Sequence, residues 1–320
     1  MKAFFLLILL SISSFLLGEE VGSSPKKVLI CGVCQNVSEA ADNTIHNIEK
    51  LGTRFTDYRV IIYENNSTDS TKAKFSAWAK KNPRVVFLSK KVPKSKLAAS
   101  RTERIADARN CVLEEASQPL YQDYEILIMA DLDFKKAWPI DAILQTLNSP
   151  KEWDCVSANG VVTQDKLYHD YYALREPRFP LGPEMLGDKL WGRLMPRRIR
   201  YKGNDWRTVY SAFGGLAIYK TAVITRFRYS GTVTEDLKER YRTILRSLPS
   251  DNPFMEKYRQ LNRLGPIKQK WPIAWRMNMV AEHPTVYNHV TCCEHVPLHA
   301  SMALQGFDKM FINPKMYMEY

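Results

Sequence analysis

The chain has 320 residues, 45% hydrophobic and 25% charged, which supplies an ordinary globular core and excludes a disordered chain. Its 46 Lys and Arg against 34 Asp and Glu leave a net charge of +12, bunched in KKVPKSK (90 to 96) and PRRIRYKGNDWR (196 to 207). Such loops either attract anions (phosphates, acidic glycans, lipid head groups) or form solvated faces. No DNA- or RNA-binding motif accompanies the charge, so no nucleic-acid partner is expected.

In chain order, MKAFFLLILLSISSFLLGEE has one Lys and an apolar stretch shorter than a spanning helix prefers. It reads as a secretory signal peptide over residues 1 to 25, with an uncleaved signal anchor, and so membrane association through the N-terminus, as the alternative. The expected compartment is the secretory pathway (ER or Golgi lumen) in a eukaryote, and a membrane-associated or exported state in a bacterium. Residues 26 to 320 read as one domain, with a regular half over 26 to 150 and an elaborated half over 151 to 320.

From Lys27 strands and helices alternate. KVLICGV, YRVIIYE, RVVFLS and YEILIMADLDF read as strands; SEAADNTIHNIEKLG, DSTKAKFSAWAKKN and TERIADARNCVLEEAS read as helices. Strands apolar throughout and separated by helices predict an α/β fold with a mostly parallel sheet covered on both faces, whose ligands bind at the carboxyl ends of the strands. Further on, 138 to 148 reads as a helix, DCVSANGVV as a strand, and 165 to 207 as a long basic, aromatic segment of the kind that covers a site. AFGGLAIYK resumes strand character, LKERYRTILRSL reads as an exposed helix, and VPLHASMALQG as a final helix closed by Gly306.

Six cysteines are too few for a disulfide-built scaffold. CGVC (31 to 34) has C-x-x-C spacing but no second pair to complete a zinc site, so a structural pair is expected before a redox or metal role. Asn36, Asn65 and Asn66 head N-x-S/T sequons, and those at 65 and 66, in a loop at the carboxyl end of a strand where a ligand would bind, are expected to stay unmodified.

Chemistry concentrates in two places. Asp131 and Asp133 end an apolar strand where alternation sends both side chains to one side, a pattern suited to a hard divalent ion such as Mn2+ or Mg2+. Glu64 ends YRVIIYE, and Asp69-Ser70-Thr71 opens the next helix, either as caps or as ligand contacts.

Together these motifs resemble family-2-like glycosyltransferases of the GT-A fold, in which such an acid and the later Asp hold the base and ribose of a nucleotide sugar. Glu64 and Asp69 stand at the matching positions. RTERIADARN looks like that group's Arg-rich helix, and Arg109-Asn110 is similar to the pair in capsule-associated and related retaining mannosyltransferases. FGGLAIYK looks like its Gly-containing acceptor strand, and CCEHVPLHASMALQGFDKMFINP like its E-D helix followed by Gly, a short strand and Pro. The resemblance implies a hexosyltransferase, and more narrowly a mannosyltransferase, taking a UDP- or GDP-linked sugar to a glycan, lipid or protein acceptor with a divalent metal. It implies donor contacts from Arg101, Arg109 and Asn110.

Where many inverting members have Glu-Asp, this chain has Glu294-His295. His295 is therefore a candidate base or metal ligand, with His299 one helical turn on as the rival ligand; inverting and retaining chemistry both stay open. On helix α-type spacing, Arg101 and Arg104 share a stripe from which Arg109 drifts. Trp191, Trp206 and Tyr210 are candidate sugar-stacking residues. The alternative function is an exported, catalytically inactive carbohydrate- or nucleotide-binding protein of the same fold.

Overall fold

The computed structural model describes residues 24 to 93, 100 to 196, 198 to 263 and 291 to 320. The first half alternates as its sequence pattern predicts: β1 (Ser24–Cys34), α1 (Ser38–Gly52), β2 (Phe55–Asn65), α2 (Thr71–Lys81), β3 (Val85–Lys90), α3 (Arg101–Ala116), β4 (Ile126–Asp131), α4 (Ile140–Leu147) and β5 (Cys155–Val161). The second half adds α5 (Pro183–Leu186), α6 (Asp188–Leu194), β6 (Arg207–Thr208), β7 (Leu216–Lys220), α7 (Thr221–Ile224), α8 (Glu235–Ser247), α9 (Pro253–Arg263), α10 (His295–Leu304) and β8 (Met310–Glu319). The expected signal segment lies outside the described residues except at its end, where β1 already pairs with β2 at Ser24. Part of the basic run 90 to 96 also lies outside them.

The elements form where local chemistry favours them. Ser100 and Glu103 make a reciprocal capping box that starts α3. The helix 235 to 247 is amphipathic rather than exposed: Leu237, Tyr241 and Ile244 are buried along one stripe.

One eight-stranded sheet runs in the order β3-β2-β1-β4-β7-β5-β8-β6. Strands β1 to β5 and β8 share a direction, while β7 runs antiparallel to both β4 and β5, and β6 antiparallel to β8. The central strands feed two cores by alternation: Leu29 and Cys31 of β1 face the layer holding α3, α8 and α10, whereas Val28 and Ile30 face the layer holding α1, α2 and α4. Cys31 and Cys34 therefore lie on opposite faces, and all six cysteines are free. CGVC is thus neither a bridge nor a local metal clip; both thiols are pushed up by burial.

Because the chain leaves β1 toward β2 and returns to its other side at β4, the topological switch point falls between β1 and β4. Strand ends diverge there, which opens a crevice at their carboxyl edge.

Candidate functional site

That crevice is a cavity of about 870 Å³. Strand β1 contributes Val33 and Cys34, β4 and the turn after it contribute Asp131, Leu132 and Asp133, and α3 contributes Arg101, Arg104 and Arg109. The start of α10 supplies Glu294 and His295, and the long segment after β5 supplies His169, Asp170, Tyr172 and Trp191. Seven sequence-predicted residues thus meet in one place: Arg101, Arg109, Asp131, Asp133, Trp191, Glu294 and His295. Arg109 belongs with Arg101 after all, because the cavity face of α3 spans residues 101, 104, 105, 108 and 109, a stripe wide enough to absorb the drift.

Arg109 is the electrostatic centre. Its Nε donates to Glu294 Oε1 at 3.1 Å and its Nη2 to Asp131 Oδ1 at 3.0 Å, and the guanidinium lies 4.6 Å from the Phe213 ring centre. Burial opposes its charge, but Glu294 and Asp131 outweigh that and hold it protonated. Burial pushes the Asp131 carboxyl up to about 7, against the pull of Arg109 and with the Asp133, Asp170 and Glu294 carboxylates adding to the rise. Asp170 is likewise raised by burial, even though it accepts from Gly214 N at 3.0 Å and from Ala173 N at 3.4 Å. Two carboxylates pair with the one buried guanidinium, and two more, Asp133 and Asp170, add to the cost of ionising Asp131.

The residues present suit a hard divalent cation. Asp131 keeps a second oxygen beyond the one that Arg109 holds, and Asp133 is exposed at the rim. Among the described residues no group of three or more His, Cys, Asp or Glu is drawn together tightly enough to hold an ion unaided. The fit is to an ion that takes one or two carboxylates and completes its shell with water and ligand phosphates, as Mg2+ and Mn2+ do.

His295 is almost fully buried, stacked 3.9 Å from Phe213, and neither ring nitrogen has a hydrogen-bond partner among the described residues. Burial, then Arg109 and His299, push its pKa well below the ordinary range, so it is neutral. His299, one turn later, faces the core instead. Its Nδ1 is 3.0 Å from Ser211 Oγ and its Nε2 2.9 Å from Tyr219 Oη, so neither nitrogen is open to an ion, and burial holds its pKa near 3.

Glu64, Asp69 and Asn110 are not among the cavity-lining residues. Glu64 is buried and accepts from Ser67 N and Ser89 Oγ, both at 2.7 Å. Asp69 accepts from Thr71 N at 3.0 Å and Ser38 N at 3.1 Å, tying the β1–α1 and β2–α2 turns together; the Thr71 and Ser38 contacts hold its carboxyl well below the usual range. Asn110 exchanges both its amide bonds with the backbone of Tyr229. Of the three aromatics, Trp191 lines the cavity, while Trp206 packs on Phe311 and Tyr210 lies against Arg240.

Sequence reasoning passed over His169, Asp170, Tyr172, Phe213 and Tyr320, all in the cavity wall. Phe213 lies in FGG, which was read as a strand. For His169, Asp170 and Tyr172 the one signal is an acid inside an aromatic run, YHDYY, and Tyr320 carries none.

No family model and no curated protein matches the chain. Solved structures similar to it include mannosyltransferase PcManGT from Pyrobaculum calidifontis in complex with GDP-Man and Mn2+, at 13% identity over 88% of this chain and 81% of that one, with a TM-score of 0.40. GalNAc-T7 with UDP, GalNAc and Mn2+ is similar at 13% identity over 92% of this chain and 44% of that one, TM-score 0.45. Glucosyl-3-phosphoglycerate synthase from Mycobacterium tuberculosis, in complex with Mn2+, UDP and phosphoglyceric acid, is similar at 14% identity over 62% of this chain, TM-score 0.36; the chain spans 57% of its length. These neighbours are GT-A fold glycosyltransferases, the group the sequence motifs resemble. At TM-scores below 0.5 they are likenesses only.

Proposed function

We propose that the chain is a metal-dependent glycosyltransferase of the GT-A fold, moving a hexosyl group from a UDP- or GDP-linked donor to a glycan, lipid or protein acceptor. One observation carries this reading: the carboxylates of Asp131 and Asp133, the guanidinium groups of α3 and the Glu294-His295 pair line a single cavity at the switch point of the sheet. Acids and cations so juxtaposed match a ligand that brings both a divalent ion and a diphosphate.

Asp131 and Asp133 would hold a divalent cation, which would supply Lewis-acid stabilisation of the leaving phosphate. Arg101, exposed on the first turn of α3, adds charge-assisted contacts to the same phosphates. Arg109 is committed to Asp131 and Glu294, so its role is to fix those carboxylates. His295 is the group with unused lone-pair capacity toward an acceptor hydroxyl. The burial that keeps it neutral also makes it a weak base, so it serves chiefly to orient that hydroxyl.

The second reading, a binding protein of the same fold without catalysis, is favoured by Arg109 itself, which neutralises Glu294 where a free carboxylate would act as base. Hydrolysis of UDP- and GDP-sugars in the presence of Mn2+ separates the two. Turnover abolished by Asp133→Ala establishes the enzyme, whereas nucleotide binding without turnover establishes the binder.

A mannosyl donor and passage through the secretory pathway by way of residues 1 to 25 are further parts of this proposal. They are supported by the sequence likeness and by the apolar N-terminal stretch. Among the described residues no helix is long and apolar enough to cross a membrane.

A further inference from the structure

A second cavity, of about 380 Å³, is lined by Arg178, Pro196, Arg198, Ile199 and Arg200. It lies in the segment between β5 and β6, and the transferase reading leaves it without a role. Three guanidinium groups around so small a space need a reason, since unbalanced like charges repel.

The pocket has a fixed floor. Ile199 is buried, and its carbonyl accepts from Tyr168 N at 2.8 Å, which leaves Arg198 and Arg200 exposed on either side of it. Arg200 Nη2 donates to the Asp165 carbonyl at 2.8 Å. Arg178 pairs with the buried Glu176, whose other oxygen accepts from Tyr201 Oη at 2.9 Å. The Tyr201 ring packs edge-on against Tyr168, 5.3 Å away. Among the described residues Glu176 is the one carboxylate paired with these arginines, so positive charge stays in excess, presented as planar forks that suit tetrahedral oxyanions.

Tyr168, bonded to Ile199, is followed in sequence by His169 and Asp170, which line the main cavity. The same stretch of chain therefore builds the wall of one cavity and the floor of the other.

We propose that Arg178, Arg198 and Arg200 form an anion site for a phosphate or sulfate group borne by the molecule that receives the sugar. The assignment to the acceptor rests on the transferase reading; the anion site itself does not.

The test is titration of the full chain with inorganic phosphate, and with phosphatidylcholine vesicles containing or lacking phosphatidic acid, compared with an Arg198→Ala, Arg200→Ala double variant and with Arg178→Ala. Both residues of the double variant are exposed, so the fold is retained, and UDP binding with Mn2+ in the main cavity serves as an independent control. The expected result is phosphate binding that is insensitive to UDP and weakened at least about tenfold in the double variant. Vesicle binding that needs phosphatidic acid and the two arginines identifies a lipid phosphate as the source; phosphate binding without vesicle binding identifies a soluble one. No phosphate binding, binding unchanged by the substitutions, or binding displaced by UDP overturns the proposal. Absence of both UDP and GDP binding, with phosphate binding intact, overturns only the transferase reading.

Discussion

The Arg109 guanidinium lies 3.0 Å from the Asp131 carboxylate, joining the start of the metal-type turn after β4 to the helix that flanks it. The same guanidinium holds Glu294 of the α10 start at 3.1 Å, so one side chain couples three parts of the site. Removing one member of a buried ion pair leaves the others uncompensated. Arg109→Ala is expected to cost about 3 kcal/mol of unfolding free energy, measured by urea denaturation. Arg109→Lys, whose single ammonium lacks the fork, should recover only part of it. A loss below about 1 kcal/mol for the alanine variant contradicts the coupling.

His299 gives the chain an acid-sensitive core. The unfolded histidine takes up a proton as pH falls through 6.5, while the folded one resists until about 3. Between those values the unfolded state binds more protons, so stability is full above 6.5 and falls as pH drops toward 3. The contribution is about 1.4 kcal/mol per pH unit across that window. His299→Gln should flatten the pH dependence of the melting free energy by that slope; an unchanged slope shows that His299 does not resist protonation.

Gly214 has φ of +64°, and its N–H holds Asp170 in the cavity wall. A Cβ there would lie 2.2 Å from the Ala158 carbonyl of β5, a backbone atom that cannot swing aside. Gly214→Ala is expected to destabilise by about 2 to 3 kcal/mol. Gly203→Ala, with φ of +88° but open space around it, should cost only about 1 kcal/mol. Thermal melts of the two variants make the comparison, and equal losses contradict it.

The sequon at Asn66 should stay bare when the chain passes through a eukaryotic secretory pathway. Its Nδ2, the atom a glycan needs, donates to the Val92 carbonyl at 3.0 Å, and its Oδ1 accepts from Val92 N at 2.8 Å. Asn65 lines the main cavity. Peptide mass spectrometry should find both unmodified; a glycan on Asn66 shows that this loop opens.

The alternation of elements up to β5 was legible because each strand and helix carries its own periodicity and caps, as Ser100 and Glu103 do for α3. Asp131 and Asp133 were legible because an apolar strand that ends in acids is costly without a partner. Glu64 and Asp69 show why caps and ligand contacts look alike in a sequence: both carboxylates take up backbone N–H groups here, and neither lines the cavity. The choice between His295 and His299 was not legible. Seven of the ten residues of α10 are buried, among them both histidines, so its sequence has no polar stripe to show which side meets the cavity. Asp170 sits in a segment without periodicity, placed by a local bond from Ala173 N and a tertiary one from Gly214 N.

The most direct test of the transferase account is calorimetric titration of the purified full chain with UDP and with GDP, with and without Mn2+, set beside Asp133→Ala. Asp133 is exposed, so its loss should leave the fold intact. The account predicts Mn2+-dependent binding of one nucleotide, weakened at least about tenfold in the variant. Binding of neither nucleotide with Mn2+, or equal binding by the variant, contradicts it.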